Sequence, residues 1–120
     1  MVQLPMVRLA AAILASTTTL LAGCSSPSAS SALSQDRITA LAQLGANGKQ
    51  TDVPKVLPSL ASDDPLVRWT AQRTLMQLAG TTNGYDWAAS HQSRERAIDA
   101  WKAWCAQQGL APAPEEARRG

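Results

Sequence analysis

The chain has 120 residues and a formal net charge of +2, which limits it to one small domain. A nearly neutral chain lacks the basic surface that a phosphate backbone requires, so the composition argues against nucleic acid as a partner. There is no Phe, and most of the large apolar surface comes from four Trp and one Tyr. We therefore expect a core built around these aromatic residues, which are Trp69, Tyr85, Trp87, Trp101 and Trp104.

The first 23 residues have the pattern of a secretory signal. Residues 1–8 carry one positive charge, at Arg8, and an apolar run follows from Leu9 to Gly23, interrupted by Ser16 and three threonines. A charged start followed by a short apolar run is typical of an export signal. The run is too short and too often interrupted for a membrane-spanning helix, which needs about 20 apolar residues. We therefore expect 1–23 to direct export.

The leader ends in the motif Leu21-Ala22-Gly23-Cys24. This motif resembles the lipobox of bacterial lipoproteins, in which small residues precede a cysteine that receives a diacylglyceryl group and becomes the first mature residue. The resemblance implies that acyl chains such as palmitate on Cys24 hold the protein at a membrane, and that Cys24 forms no disulfide with Cys105. By the same resemblance, Ser25 after the cysteine implies the outer membrane or the periplasmic face rather than the inner membrane. An ordinary cleaved signal, or an uncleaved anchor helix, is the alternative.

The segment after the cysteine predicts a tether. Residues 25–32 are Ser, Ala and Pro, with no large apolar side chain to offset the entropic cost of ordering the backbone. We therefore expect 24–32 to comprise the lipidated cysteine and a flexible linker. Eight such residues have a root-mean-square reach of roughly 15 Å, enough to lift a domain clear of the headgroups. The Pro-containing segment 110–120 is expected to be a disordered tail.

Caps and apolar spacing predict an all-α fold of about four helices over 33–109. Ser34 and Gly45 are residue types that begin and end a first helix, and Pro58 should bend the second because it removes a backbone hydrogen bond. No segment shows the sustained alternation of apolar and polar residues that a strand requires. The helices are expected at about 35–44, 53–61, 65–79 and 91–108.

The third and fourth helices have the clearest signals. Asp64 and Pro65 are suited to the N-cap and the first position of the third helix, and Gly80 follows its end. Ser90 is suited to the N-cap of the fourth helix. The apolar residues that recur on one face, and are expected in the core, are Val67, Ala71, Leu75 and Leu78, then Ala97, Ile98, Trp101, Trp104 and Cys105.

The stretch 53–75 is similar to a HEAT repeat. The similarity lies in the Pro and Leu residues of its first helix, in Asp63-Asp64-Pro65, and in Val67, Arg68, Ala71 and Leu75. It implies a short α-α superhelical fragment in which Asp64 and Arg68 join an ion-pair ladder and 90–108 is a Trp-bearing capping helix. Because such arrays need about three units, either the flanking helices or a partner must close the core. A closed small helical bundle is the alternative fold.

Residue types that carry enzymatic or metal chemistry are scarce. His91 is the only His, and next to Ser90 it suggests at most a weak nucleophile–base pair, whereas a solvated His at a helix start explains it more simply. No spacing of His, Cys and carboxylates fits a metal site, and Cys105 on an apolar stripe predicts a buried, inert thiol. We therefore expect no catalytic residues, metal or cofactor, and no small-molecule substrate is evident.

The connection 81–89 is long for a link between two helices and carries Tyr85 and Trp87. These side chains either form an exposed anchor for a peptide, a glycan or a partner helix, or fold back onto Trp69 and Trp101 as core. The connection is therefore the candidate partner-binding site.

These features together predict an exported protein, lipid-anchored through Cys24, whose HEAT-like domain binds or scaffolds a protein partner in the bacterial envelope. We do not expect it to be an enzyme. The alternatives are a subunit or accessory domain of an envelope enzyme, and a structural envelope spacer that binds no discrete partner.

Overall fold

The computed structural model describes residues 26–110, and within them the chain is all-α with four helices and no strand. The predicted fold class is therefore confirmed. The predictions for 1–23, for Cys24 and for the tail beyond 110 lie outside the described residues. The helices are α1 (Ser34–Asn47), α2 (Val53–Leu60), α3 (Pro65–Ala79) and α4 (His91–Gln107), and a 3-10 turn (Gln50–Asp52) leads directly into α2.

α1 is longer than predicted, because Gly45 lies inside it and the chain leaves the helix at Gly48. Ser34 is the first helical residue and Leu33 takes the cap position, without a side-chain hydrogen bond. Both predicted boundary roles are therefore wrong. A Cβ at Gly45 would lie against the side chain of Gln77 in α3, so this glycine permits a close approach of two helices and does not end one.

The predicted caps of α3 and α4 are confirmed. The carboxylate of Asp64 and the hydroxyl of Ser90 each accept a hydrogen bond from a first-turn N–H, over 2.9 and 3.2 Å. Gly80 ends α3 with φ 74° and Gly109 follows α4 with φ 67°, a left-handed conformation that glycine adopts without strain. These signals are local, so the sequence alone predicts them well.

Contacts between α1 and α3 show that the two helices run in the same direction. Ser34, at the start of α1, lies beside Asp64, which caps α3. In the middle of the pair, the hydroxyl of Thr74 donates to the carbonyl of Leu41 over 2.9 Å. Because α2 connects the end of α1 to the start of α3, it runs antiparallel to both, and it packs on α3.

The segment between α3 and α4, which we call the return segment, runs back along α3. The N–H of Trp87 donates to Oε1 of Gln72 over 2.9 Å, and Nε of Arg68 donates to the carbonyl of Trp87 over 3.1 Å. α4 therefore begins near the start of α3. Further along α4, Nε1 of Trp101 donates to the carbonyl of Thr82, just beyond the end of α3, over 2.8 Å. α4 thus runs in the same direction as α3 and packs antiparallel to α2.

Arg68 takes a different role from the predicted ion-pair ladder with Asp64. Its Nη1 donates to the carbonyls of Ser62 and Asp63, over 2.9 and 3.2 Å, in addition to the bond to Trp87. Within residues 26–110, neither Asp64 nor Arg68 forms an ion pair. The planar guanidinium presents several donors in a fixed geometry, so it ties the α2–α3 turn to the return segment.

One face of each helix contributes to a single core, together with Tyr85 from the return segment. The predicted stripes of α3 and α4 lie in this core, although Leu78 and Trp104 are only partly buried. Ala42, expected on the apolar face of α1, is exposed. The buried apolar residues are Leu41, Val53, Val56, Leu60, Val67, Ala71, Leu75, Tyr85, Ala97, Ile98, Trp101 and Cys105.

Candidate functional site

The two aromatic residues proposed as a partner-binding anchor lie against the core. Tyr85 is 2% exposed, and its hydroxyl donates to the carbonyl of Leu60 over 2.6 Å. Trp87 is half-buried, packs against the core and has its backbone held by α3. Of the two alternatives, the structure therefore shows the one in which Tyr85 folds back as core, and the Tyr85 side chain is not available as an exposed anchor.

Burial raises the pKa of Tyr85 to about 12, because the ionised phenol would lose both its solvation and its donated hydrogen bond. A group with a raised folded-state pKa stabilises the fold below its unfolded pKa of about 10 and loses that contribution as the pH rises towards 12. We expect Tyr85→Phe to lower the free energy of unfolding by roughly 1 kcal/mol at about pH 8. The difference in the free energy of unfolding between wild type and Tyr85→Phe should be smaller at about pH 11 than at about pH 8.

Urea unfolding of wild type and Tyr85→Phe at both pH values measures this effect. Because every other titratable group is the same in the two proteins, the comparison isolates the phenol of Tyr85. A difference in stability that is the same at the two pH values would contradict the role given to Tyr85.

α3 carries a second apolar stripe on the face opposite the core. Leu66, Trp69 and Met76 are 51%, 39% and 47% exposed, and their spacing puts them on one side of the helix. Arg73 lies among them, with its Cζ 4.9 Å from the centre of the Trp69 ring. We call these four residues the outer stripe. The expectation that Trp69 belongs to the core is therefore wrong.

A cleft of about 820 Å³ opens on the outer face of α2. α4 forms one wall and the segment 29–37 forms the other, so the cleft runs along α2 between them. The apolar side chains that line it come from all three parts. They are Pro54, Leu57, Pro58 and Ala61 on α2, Ile98, Cys105 and Ala106 on α4, and Ala29, Ala32 and Leu110 on the flanking segments.

One wall of the cleft includes residues that were predicted as free tether. Ala29 packs against the core, and the N–H of Ser31 donates to the carbonyl of Ser28 over 3.1 Å. The hydroxyl of Ser31 also donates to the carboxylate of Asp36 in α1, over 3.1 Å. Residues 28–32 therefore form a turn against the domain, and the chain between Cys24 and the domain is shorter than the sequence suggested.

Positively and negatively charged side chains surround the apolar floor of the cleft. At one end, the carboxylate of Asp64 has a lowered pKa because it accepts a hydrogen bond from the Leu66 N–H and lies near Ser34 and Arg37. Among residues 26–110, Nε of Arg37 and the hydroxyl of Ser59 are buried and have no hydrogen-bond partner. The other charged side chains that line the cleft are Asp63, Glu95 and Lys102.

The remaining predicted site residues have structural or solvent-exposed positions. His91 is exposed, and the hydroxyl of Ser90 serves the helix cap. Cys105 is a buried free thiol, and burial raises its pKa, as expected for an inert cysteine. Trp101 is fully buried and meets Trp104 edge-on with ring centroids 5.3 Å apart, so both help to pack α4. Residues 26–110 contain no cluster of potential metal ligands.

Sequence reasoning did not find the cleft, although a signal for it exists. α2 is apolar on almost every side, with Lys55 and Ser59 as its only polar residues. A helix of this kind must be covered on more than one side. The core and α4 cover part of α2, and the remaining apolar face is the floor of the cleft.

Comparison with models of protein families, with curated proteins and with solved structures found no match to this chain. Between residues 26 and 110, no helix combines the length and the apolar character needed to cross a bilayer.

Proposed function

We propose that this chain is a bacterial lipoprotein, anchored through Cys24, whose helical domain binds a protein partner of the cell envelope by holding a short segment of it in the cleft on α2. The cleft is the observation that supports binding, and the lipobox-like motif that ends at Cys24 supports the anchor. Catalysis is not part of the proposal.

The shape and chemistry of the cleft favour a peptide segment. Its volume of about 820 Å³ lies within the range of roughly 300–1,000 Å³ that is usual for ligand sites. Its floor follows an eight-residue helix, which is about 12 Å long. An amphipathic segment of similar length supplies apolar side chains for Leu57 and Pro58, and its backbone and charged groups meet the polar rim. An inorganic ion or a nucleotide would leave this floor uncovered.

The helix directions also support a HEAT-like origin for the first three helices. α1 and α3 are parallel and in contact, and α2 is antiparallel to both. In a HEAT-like array this order corresponds to a half unit, α1, followed by one complete unit, α2 and α3. α4 departs from this order because the return segment makes it antiparallel to α2, which suits a capping helix. Within the described residues no helix precedes α1. The partner segment would instead cover the part of α2 that forms the floor of the cleft.

Filling the cleft should abolish partner binding. Ala106 and Ala103 are both exposed on α4, but only Ala106 lines the cleft. We expect Ala106→Trp to reduce capture of the partner by about tenfold or more, since a steric conflict of 1.4 kcal/mol already has that effect. Ala103→Trp adds the same side chain to the same helix outside the cleft, so it should bind as wild type does. The measurement is crosslinking and quantitative capture from native membranes.

Each outcome of this capture has a distinct meaning. Equal recovery of one dominant protein by all three proteins would contradict the cleft as the binding site. Empty capture by wild type would instead favour the structural spacer. If the captured protein is an enzyme whose activity changes on binding, the chain is an accessory subunit, and the Ala106→Trp variant should fail to produce the change.

A further inference from the structure

We propose that the outer stripe of α3 rests on the surface of the membrane that holds the lipid on Cys24, with phospholipid as the surface that covers Leu66, Trp69 and Met76. This inference rests on the lipid anchor proposed above and adds a second, non-covalent contact with the bilayer. It gives the domain a defined orientation on the membrane.

The short connection to the anchor is the first argument. Ala29 packs against the core, so only the five-residue step from Cys24 to Ala29 separates the lipid from the domain. Even fully extended, five residues span at most about 18 Å. α3 alone, with 15 residues, is about 22 Å long. Because the connection from Cys24 to Ala29 is shorter than α3, the domain stays close to the bilayer surface. The effective concentration of the domain at that surface is therefore high.

The position of the stripe is the second argument. The chain from the anchor enters the domain at the start of α1, and the start of α1 lies beside the start of α3, where Ser34 approaches Asp64. The stripe begins at this end with Leu66 and continues along α3. Leu33, which precedes α1 at the same end, is 66% exposed. Exposed large apolar side chains are therefore present where the anchor holds the domain closest to the lipid.

The chemistry of the stripe is the third argument. Trp is enriched at the interface between headgroups and acyl chains, and Leu and Met insert their apolar side chains there. Arg73 stacks near Trp69, and its charge is available to lipid phosphates. α3 contains no acidic residue, so Arg73 is the charged side chain that the outer stripe presents to anionic lipid.

Membrane contact and partner binding use different surfaces. The residues of the outer stripe do not line the cleft, which lies on the outer face of α2. Contact between α3 and the bilayer therefore leaves the cleft free for a partner segment, and it holds the cleft at a constant height above the membrane.

Quenching by brominated lipid tests the proposal. The protein, processed and lipidated in its own cells, is reconstituted into vesicles of phosphatidylethanolamine and phosphatidylglycerol. The acyl chains of these lipids carry bromine, which quenches the fluorescence of tryptophan within the bilayer. We expect strong bromine-dependent quenching of wild type, loss of most of that quenching in Trp69→Phe, and little change in the matched control Trp87→Phe. Trp69 is exposed, so the conservative variant should fold.

The other results overturn the proposal in distinguishable ways. If mass spectrometry finds no acyl group on Cys24, the anchor and the membrane contact fail together. If Cys24 is acylated but Trp69→Phe is quenched as strongly as wild type, or wild type is not quenched at all, the membrane contact fails and the anchor stands. An unquenched Trp69 in protein that sediments as a dimer would assign the stripe to a second copy of the chain.

Discussion

Replacing Trp101 by alanine should lower the free energy of unfolding by about 3–5 kcal/mol, the usual cost of removing a large buried aromatic side chain. Trp101 is fully buried at the centre of α4, and its Nε1 donates to the carbonyl of Thr82. The change therefore removes core contacts and leaves a carbonyl of the return segment without its donor. A small domain has a total stability of roughly 5–15 kcal/mol, so this variant should be close to unfolding at ambient temperature.

Urea unfolding followed by helical circular dichroism measures the loss. Trp69→Ala removes the same side chain from an exposed position of α3 and should cost much less. Trp101→Phe keeps most of the ring but removes the donor to Thr82, so its cost should fall between those of the other two variants. Equal losses for Trp101→Ala and Trp69→Ala would contradict the packing of α4 described above.

The helices could be predicted because their signals are local. Asp64 with Pro65, and Ser90 with the stripe that follows it, specify the starts of α3 and α4 through bonds that span a few residues. Gly80 and Gly109 end them for a similarly local reason. Gly45 was misassigned because a glycine in a sequence does not reveal whether it ends a helix or permits a neighbour to approach, and here Gln77 is that neighbour.

The arrangement of the helices could not be predicted in the same way. The direction of α4 depends on the return segment. Arg68 donates a hydrogen bond to the carbonyl of Trp87 in this segment, and the N–H of Trp87 donates one to the side chain of Gln72. Bonds to a backbone carbonyl leave no charge pattern in the sequence, and for Arg68 the similarity to a HEAT repeat implied an ion pair instead. The long connection was recognised as unusual, and its length and composition left open whether Tyr85 and Trp87 fold back onto the core or are exposed.

The exposure of individual aromatic residues also could not be predicted from the sequence. Tyr85 and Trp69 are both large aromatic residues, and composition alone assigns both to a core. Their burial differs because the hydroxyl of Tyr85 donates to a carbonyl at the end of α2. Trp69 instead lies on the side of α3 that faces away from the core. The return segment was the candidate binding region because it is long and carries Tyr85 and Trp87. The exposed apolar surface instead lies on α3 and in the cleft on α2.

The proposed lipid anchor leads to the prediction with the largest effect on processing of the protein. Cys24→Ala should abolish incorporation of labelled fatty acid and leave unprocessed precursor that keeps its apolar leader. Burial of acyl chains contributes about 0.8 kcal/mol per CH₂ and one chain gives only marginal binding, so stable attachment through Cys24 would require several chains on that cysteine. The contact proposed for the outer stripe buries far less apolar surface and should not hold the protein without them.

Cys105→Ala provides the matched control, because it removes the other cysteine of the chain. Cys105 is buried within the folded domain and its pKa is raised by burial, so it is a poor nucleophile. This variant should incorporate labelled fatty acid and remain in the membrane fraction as wild type does. Normal labelling of Cys24→Ala, or loss of labelling in Cys105→Ala alone, would overturn the assignment of the anchor.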